Sequence, residues 1–191
     1  MTKTELCNRT LAVLGHDRTI TSFDTDASTE AIRCRLFFDV AFLNVLAAHN
    51  WDFAAVERTF TISWRNGQGY ATIVRPPDCA RLVSAEDEME RPVRVKQANG
   101  MLYVKDGDAA ASITLRWVSS AVDVADWPHE FAEAVVYELA AQLSGPMFGD
   151  ASKTNGYMQL AQQKLSLAVT RETDETAYRG EPDDPFLSAR R

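Results

Sequence analysis

The sequence predicts an α+β fold, in which four helices flank an inserted antiparallel β-sheet. Apolar residues recur every three or four positions in residues 3–49 and again after residue 128, as in amphipathic helices. Between residues 57 and 119, apolar and polar residues alternate and turn signals interrupt the alternation, as in strands. This order predicts a four-helix bundle-like core, formed by two N-terminal and two C-terminal helices.

The N-terminal part predicts helices over residues 3–15 and about 28–49. Gly15 ends the first helix, because glycine readily adopts the left-handed conformation that closes a helix. Ser28 can cap the second helix, and Glu30 places a carboxylate in its first turn, where the helix dipole favours negative charge. Both boundaries therefore rest on local chemistry.

The second helix is almost wholly apolar near its end, since Asn44 is the one polar residue between positions 40 and 48. Such a helix should be buried on all sides, either as the central helix of a monomer or against a neighbouring subunit. Trp51 and Phe53 follow it, and each can bury about 150–250 Å². We expect these two side chains to form a structural joint between the helical and β parts.

The middle of the chain predicts an antiparallel sheet of five or six strands. Residues 66–69 and the pair Asn99-Gly100 have the composition of hairpin turns. The predicted strands cover residues 58–64, 70–75, 81–85, 91–97, 101–104 and 112–118.

Helices return after Trp127-Pro128, and Gly145-Pro146 should end the third helix before a fourth over about 151–175. The last residues contain two prolines, clustered charge and little apolar content, which favours an extended tail. The predicted domains are a helical domain (1–56 and 120–177), a β domain (57–119) and an extended C-terminal tail (178–191).

Composition excludes several classes of function. The net charge of −7 argues against a DNA-binding module, because Lys and Arg contacts to phosphate supply most non-specific affinity for DNA. Apolar runs fall short of the roughly 18 residues that a membrane span needs, and the N-terminus lacks the apolar core of a signal peptide. Cys7, Cys34 and Cys79 are widely spaced, which favours buried thiols in a reducing cytoplasm.

No pattern of catalytic, metal-binding or cofactor-binding residues emerges, so we expect a protein that is not an enzyme and needs no cofactor. The three histidines are scattered, and no serine lies in a G-x-S-x-G turn. Asp24 with Asp26, and Asp106 with Asp108, are carboxylate pairs in turns, where Asp favours backbone hydrogen bonds. The acidic loop over residues 86–90 is most simply a solvated loop.

A series of segments along the chain forms a recognisable pattern. The segments are residues 11–24, 31–38, 51–54, 70–83, 127–131, 139–141 and 145–146. Together they resemble the head-to-tail adaptors (connectors) of tailed phages, a family that includes the tail tubular protein A of short-tailed phages. The resemblance spans residues 6–175, and its order and spacing are more specific than any one motif. Asn50 departs from the pattern, since a proline is common there, and Val74-Arg75-Pro76 replaces a Leu-Pro pair.

The resemblance implies a structural virion protein that is made in the host bacterial cytoplasm. It would form a ring, commonly a dodecamer in the virion, which joins the portal protein to a tail nozzle or tail-completion protein. The isolated protein can be a monomer before the ring forms. DNA would pass through the ring without being bound specifically. The helical domain would build the ring, and the β domain would face the tail.

The same resemblance implies that the C-terminal tail reaches the portal, with Phe186, Leu187, Arg190 and Arg191 as candidate contacts. Burying the two apolar side chains would contribute about 3–6 kcal/mol. Ordering a dozen backbone residues costs about 1–2 kcal/mol each, so the tail needs extended contacts as well. A tail that stays disordered is the alternative, and a small phage hydrolase or a DNA-binding module are the alternative functions.

Overall fold

A computed structural model of the protein describes residues 1–62, 70–105 and 111–179. These residues form helices together with strands that pair antiparallel, which confirms the α+β fold class. The chain divides into two compact units. The helical unit consists of Met1–Val45 and Asp123–Arg191, and the β unit consists of Leu46–Val122.

The helices and strands follow the predicted order. The helices are α1 (Lys3–Val13), α2 (Thr29–Ala48), α3 (His129–Phe148) and α4 (Ala151–Arg179). The strands are β1 (Ala55–Thr61), β2 (Ala71–Val74), β3 (Cys79–Asp87), β4 (Arg94–Ala98), β5 (Met101–Lys105) and β6 (Ser112–Ser119). Short 3₁₀ helices cover Asp52–Ala54 and Val124–Asp126.

Capping residues fix the ends of the first two helices, and Gly15 and Ser28 do so as predicted. At the start of α1, the Thr2 hydroxyl accepts a hydrogen bond from the Glu5 backbone N–H, and the Glu5 carboxylate accepts one from the Thr2 N–H. Gly15 follows the end of α1 with a φ of 72°, in the left-handed region that glycine favours. The Ser28 hydroxyl accepts a hydrogen bond from the Ala31 N–H, so Ser28 caps α2.

The predicted end of the third helix at Gly145-Pro146 is wrong. The helix α3 continues to Phe148 with Pro146 inside it, and it ends at Gly149, which has a φ of 62°. A proline lacks one backbone donor and crowds the preceding turn, which disfavours a helix, but its own φ of about −65° is compatible with helical backbone. The residue with positive φ therefore ends this helix, and the proline does not.

The core of the helical unit lies around α3. The predicted apolar face of α3 is buried throughout, from Phe131 to Leu143. The buried Thr10 hydroxyl of α1 donates to the Leu6 carbonyl, and it also lies 3.3 Å from the Val136 carbonyl of α3. Lys164 of α4 lies 2.8 Å from the Glu133 carboxylate of α3. Helix α3 is thus connected to both α1 and α4.

The described residues of the β unit contain six strands, within the five or six predicted, but these strands form two sheets and not one. The sheet orders are β1-β6-β3 and β2-β5-β4. Apolar residues from both sheets, including Ile73 and Leu102 from one and Leu115 and Trp117 from the other, form one buried cluster. Alternation shows that each strand buries one face, and this holds equally for one large sheet and for two packed sheets.

The β4–β5 hairpin confirms the turn predicted at Asn99-Gly100, where both residues have positive φ, 51° and 72°. This is the conformation that Asn-Gly adopts in two-residue hairpin loops. The predicted turn at residues 66–69 and the Asp106/Asp108 pair lie outside the described residues.

Helix α4 continues to Arg179, two residues into the segment predicted as an extended tail. Residues 180–191, which include Phe186, Leu187, Arg190 and Arg191, lie outside the described part of the chain. Within the described part, no helix is both long and apolar enough to cross a bilayer.

Candidate functional site

The histidines of the described chain have separate environments. The His16 ring lies 3.6 Å from the Glu30 carboxylate, and His129 lies 3.9 Å from Glu133. His49 packs edge-on against the Trp51 ring at 5.2 Å between centroids. In the described residues, no three His, Cys, Asp or Glu side chains come together in a metal-binding arrangement.

Two of the acidic side chains noted in the sequence hold turns together. Asp26 accepts hydrogen bonds from the backbone N–H groups of Thr21 and Ser28, both at 2.8 Å, and these bonds hold its pKa well below the usual range. Asp87 accepts hydrogen bonds from the Arg91 and Met89 backbone N–H groups, which lower its pKa in the same way. Both carboxylates thus stabilise local backbone.

Asp78 has a structural role that the sequence did not reveal. Its carboxylate accepts a hydrogen bond from the Ser119 hydroxyl at 2.6 Å and one from the Trp117 indole N–H at 3.3 Å. The Ser119 bond is the main reason that the pKa of Asp78 lies below its usual range. These partners lie about 40 positions away in sequence on β6, so no local motif could have indicated them.

The predicted joint residues lie between the end of α2 and the start of β1. Trp51 is 1% exposed, and Phe53 is half-buried with its ring centroid 6.3 Å from that of Trp51. The Ala54 N–H donates to the Trp51 carbonyl, which closes the short 3₁₀ helix. Trp51 is therefore a buried packing residue, and its role as a joint between the parts stays a prediction.

The most unusual feature of the helical unit is an apolar face of α2 that is exposed. Ile32, Leu36, Val40 and Leu43 are 53%, 68%, 50% and 43% exposed. Their spacing of four, four and three residues places them within about 80° of one another around the helix, over about 16 Å of its length. We call these four residues the stripe.

The opposite face of α2 is apolar as well and packs into the core of the helical unit. The Phe42 ring stacks on Trp127 at 4.8 Å between centroids, and the Phe38 ring meets Phe23 edge-on at 5.2 Å. Asn44 donates to the Glu138 carboxylate of α3 at 2.9 Å. Because these contacts fix the rotation of α2, the helix cannot turn the stripe inward without exposing its aromatic side.

Of the two predicted alternatives, the described residues of a single chain do not cover α2 on all sides, because one side of the helix remains in solvent. The exposed fractions of the stripe amount to about two whole side chains. Covering them would contribute about 3–6 kcal/mol. Single exposed leucines are common on protein surfaces, but a contiguous apolar patch is typical of an interaction site.

A second apolar surface is a groove of about 860 Å³ on the helical unit, where the end of α1 meets α3 and α4. The Tyr157 hydroxyl donates to the Val13 carbonyl, and the Phe148 ring stacks at 6.5 Å from that of Tyr157. The Lys153 ammonium lies over the Phe148 ring at 4.9 Å. We call this the groove; Val13, Leu14, Gly15, Tyr137, Phe148, Lys153, Gly156, Tyr157 and Leu160 line it.

The stripe and the groove share no residue. The side of α3 that contacts α2, which carries the stripe, differs from the side that contacts α4, which borders the groove. Glu138 of α3 accepts the hydrogen bond from α2, whereas Glu130 and Glu133 of α3 pair with Arg171 and Lys164 of α4. The helical unit therefore carries two separate apolar surfaces.

The sequence missed both surfaces for the same reason. Periodicity identified the apolar positions of α2 and α4, but it could not show which of them a single chain leaves uncovered.

The comparisons with known proteins give no family: no protein-family model matches the sequence, and no curated protein matches it.

Proposed function

We propose that the protein is a structural head-to-tail adaptor of a tailed phage or prophage, in which copies of the chain form a ring between the portal and the tail. The observation that carries the proposal is the stripe, an apolar helix face that one chain leaves uncovered. The resemblance of residues 6–175 to adaptors, in the order of their segments, supports it.

In this proposal the four helices act as a bundle-like core that builds the ring. Two of the supporting features are the dense aromatic packing of α2 against Trp127 and Phe131, and the ion pair that joins Lys164 to Glu133. A rigid helical unit suits a part that must repeat identically around a ring, since each subunit contact depends on the same geometry. The protein acts by binding partners, without catalysis and without a cofactor.

The net charge of −7 suits a channel that DNA passes through. An acidic surface repels phosphate and so gives DNA no strong binding site at which to stall. The virion would be the final location of the protein, with the portal on one side of the ring and a tail component on the other.

The proposal extends to the C-terminal tail, whose docking on the portal would be strengthened by the many copies in a ring. The test is a pull-down by the portal protein of the same genome, comparing the full chain with a chain that lacks residues 178–191. We expect the full chain to be retained and the shortened chain to be lost or strongly reduced. Equal retention refutes docking through the tail, and loss of both refutes the adaptor function.

A further inference from the structure

We propose that the stripe of one copy seats in the groove of the next copy, and that this head-to-tail contact is the one that closes the ring. The inference rests on the proposed adaptor function, and it names the two surfaces that meet. The stripe consists of Ile32, Leu36, Val40 and Leu43 on α2, and the groove lies where the end of α1 meets α3 and α4.

The two apolar surfaces lie on one unit and are separate, which favours a contact between the stripe of one copy and the groove of another. A surface that binds a different surface on an identical molecule makes a heterologous contact, which repeats from copy to copy and closes into a ring or continues as a filament. A contact of the stripe with another stripe would instead stop at a dimer and would leave the groove open. Of these two contacts, the head-to-tail one covers both surfaces in every copy of a closed ring.

The side chains of the two surfaces are also suited to pack against each other. The stripe presents aliphatic side chains, and the groove presents the rings of Tyr137, Phe148 and Tyr157. Aromatic walls against aliphatic side chains are common in the buried centre of protein interfaces. The stripe is about 16 Å long. The groove has a volume of about 860 Å³, which is room for part of the stripe's side chains.

Charged side chains at the edges of the two surfaces also favour this contact. Asp39 is exposed and lies next to the stripe, three residues after Leu36 and four before Leu43. Lys153 lies at the groove, with its ammonium over the Phe148 ring. A carboxylate beside the stripe and an ammonium beside the groove have the opposite signs that a contact between the two surfaces favours.

The experiment uses two variants of the full chain, Leu36→Glu in the stripe and Leu160→Glu in the groove. Both side chains are exposed, at 68% and 41%, so the folded chain can accept each change. Met89→Glu is the matched control, because Met89 is 73% exposed in the β unit. Sedimentation velocity from about 10 µM to about 1 mM measures self-association, and circular dichroism checks that each variant is folded.

We expect the unmodified chain and Met89→Glu to associate as concentration rises, and each of the other two variants to associate at least about tenfold more weakly. An equimolar mixture of Leu36→Glu and Leu160→Glu should form a heterodimer and nothing larger. In that dimer the intact stripe of one variant meets the intact groove of the other, while the remaining surfaces are both blocked.

Three results overturn the contact: an unmodified chain that stays monomeric at about 1 mM, a Leu160→Glu variant that associates normally, or a mixture that forms no dimer. The second of these would indicate pairing of stripe with stripe. Portal pull-down of the unmodified chain tests the adaptor function separately. If the portal retains the unmodified chain but the mixture forms no dimer, only the contact is refuted. If the mixture forms a dimer but the portal does not retain the unmodified chain, only the adaptor function is refuted.

Discussion

Replacing Trp51 with alanine tests whether this residue is a packing residue of a single chain. Trp51 is 1% exposed, so almost the whole of its side-chain area, about 150–250 Å², is out of water. At about 25 cal/mol per Å² this burial corresponds to about 4–6 kcal/mol as an upper estimate, because unfolded chains also bury some apolar area. We therefore expect Trp51→Ala to lower the free energy of unfolding by about 3–5 kcal/mol.

Urea unfolding followed by circular dichroism measures this loss. With a slope of about 2 kcal/mol per M, the midpoint should fall by about 1.5–2.5 M. Phe53→Ala is the matched control, because Phe53 is the neighbouring aromatic residue and is only half-buried, so its loss should be smaller. A Trp51→Ala protein with unchanged stability would contradict the reasoning, and one that also failed to assemble would place Trp51 at a subunit contact.

The remaining predictions concern the hydrogen bonds and glycines of the described chain. The pKa of Asp78 is lowered in the folded chain, so the ionised carboxylate should stabilise the fold above pH about 4 and lose this effect as the pH falls. In urea unfolding, Asp78→Asn should therefore lower the free energy of unfolding at pH 7. The difference from the unmodified chain should shrink at pH 3. Gly100→Ala should cost about 1–2 kcal/mol, since its φ is 72°. Gly156→Ala should stabilise by about 0.5–1 kcal/mol, because Gly156 lies inside α4 and an added Cβ meets no atom within 4 Å. A stabilising Gly100→Ala or a destabilising Gly156→Ala would contradict the backbone argument.

Features set by neighbouring residues were predictable from the sequence. Ser28 and Gly15 bounded helices because a hydroxyl cap and a positive φ act within a few residues. The Asn99-Gly100 turn is local in the same sense. Pro146 shows the limit of such reasoning, because a proline disfavours a helix without fixing where the helix ends, and α3 continues past it to Phe148.

Features that depend on distant residues were not predictable. Asp78 finds its partners Trp117 and Ser119 on β6, far from it in sequence, which no local spacing indicates. The division of six strands into two sheets leaves the alternation within each strand unchanged. The exposure of Leu36 follows from the aromatic contacts on the other side of α2, because both faces of that helix are apolar.

The most direct test of the adaptor function is electron microscopy of the chain mixed with the portal protein of the same genome. The account predicts a closed ring of copies on the axis of the portal, and it predicts that Leu36→Glu, which charges the stripe, prevents that ring from closing. A portal that carries no added ring at saturating concentrations of the unmodified chain would contradict the central claim.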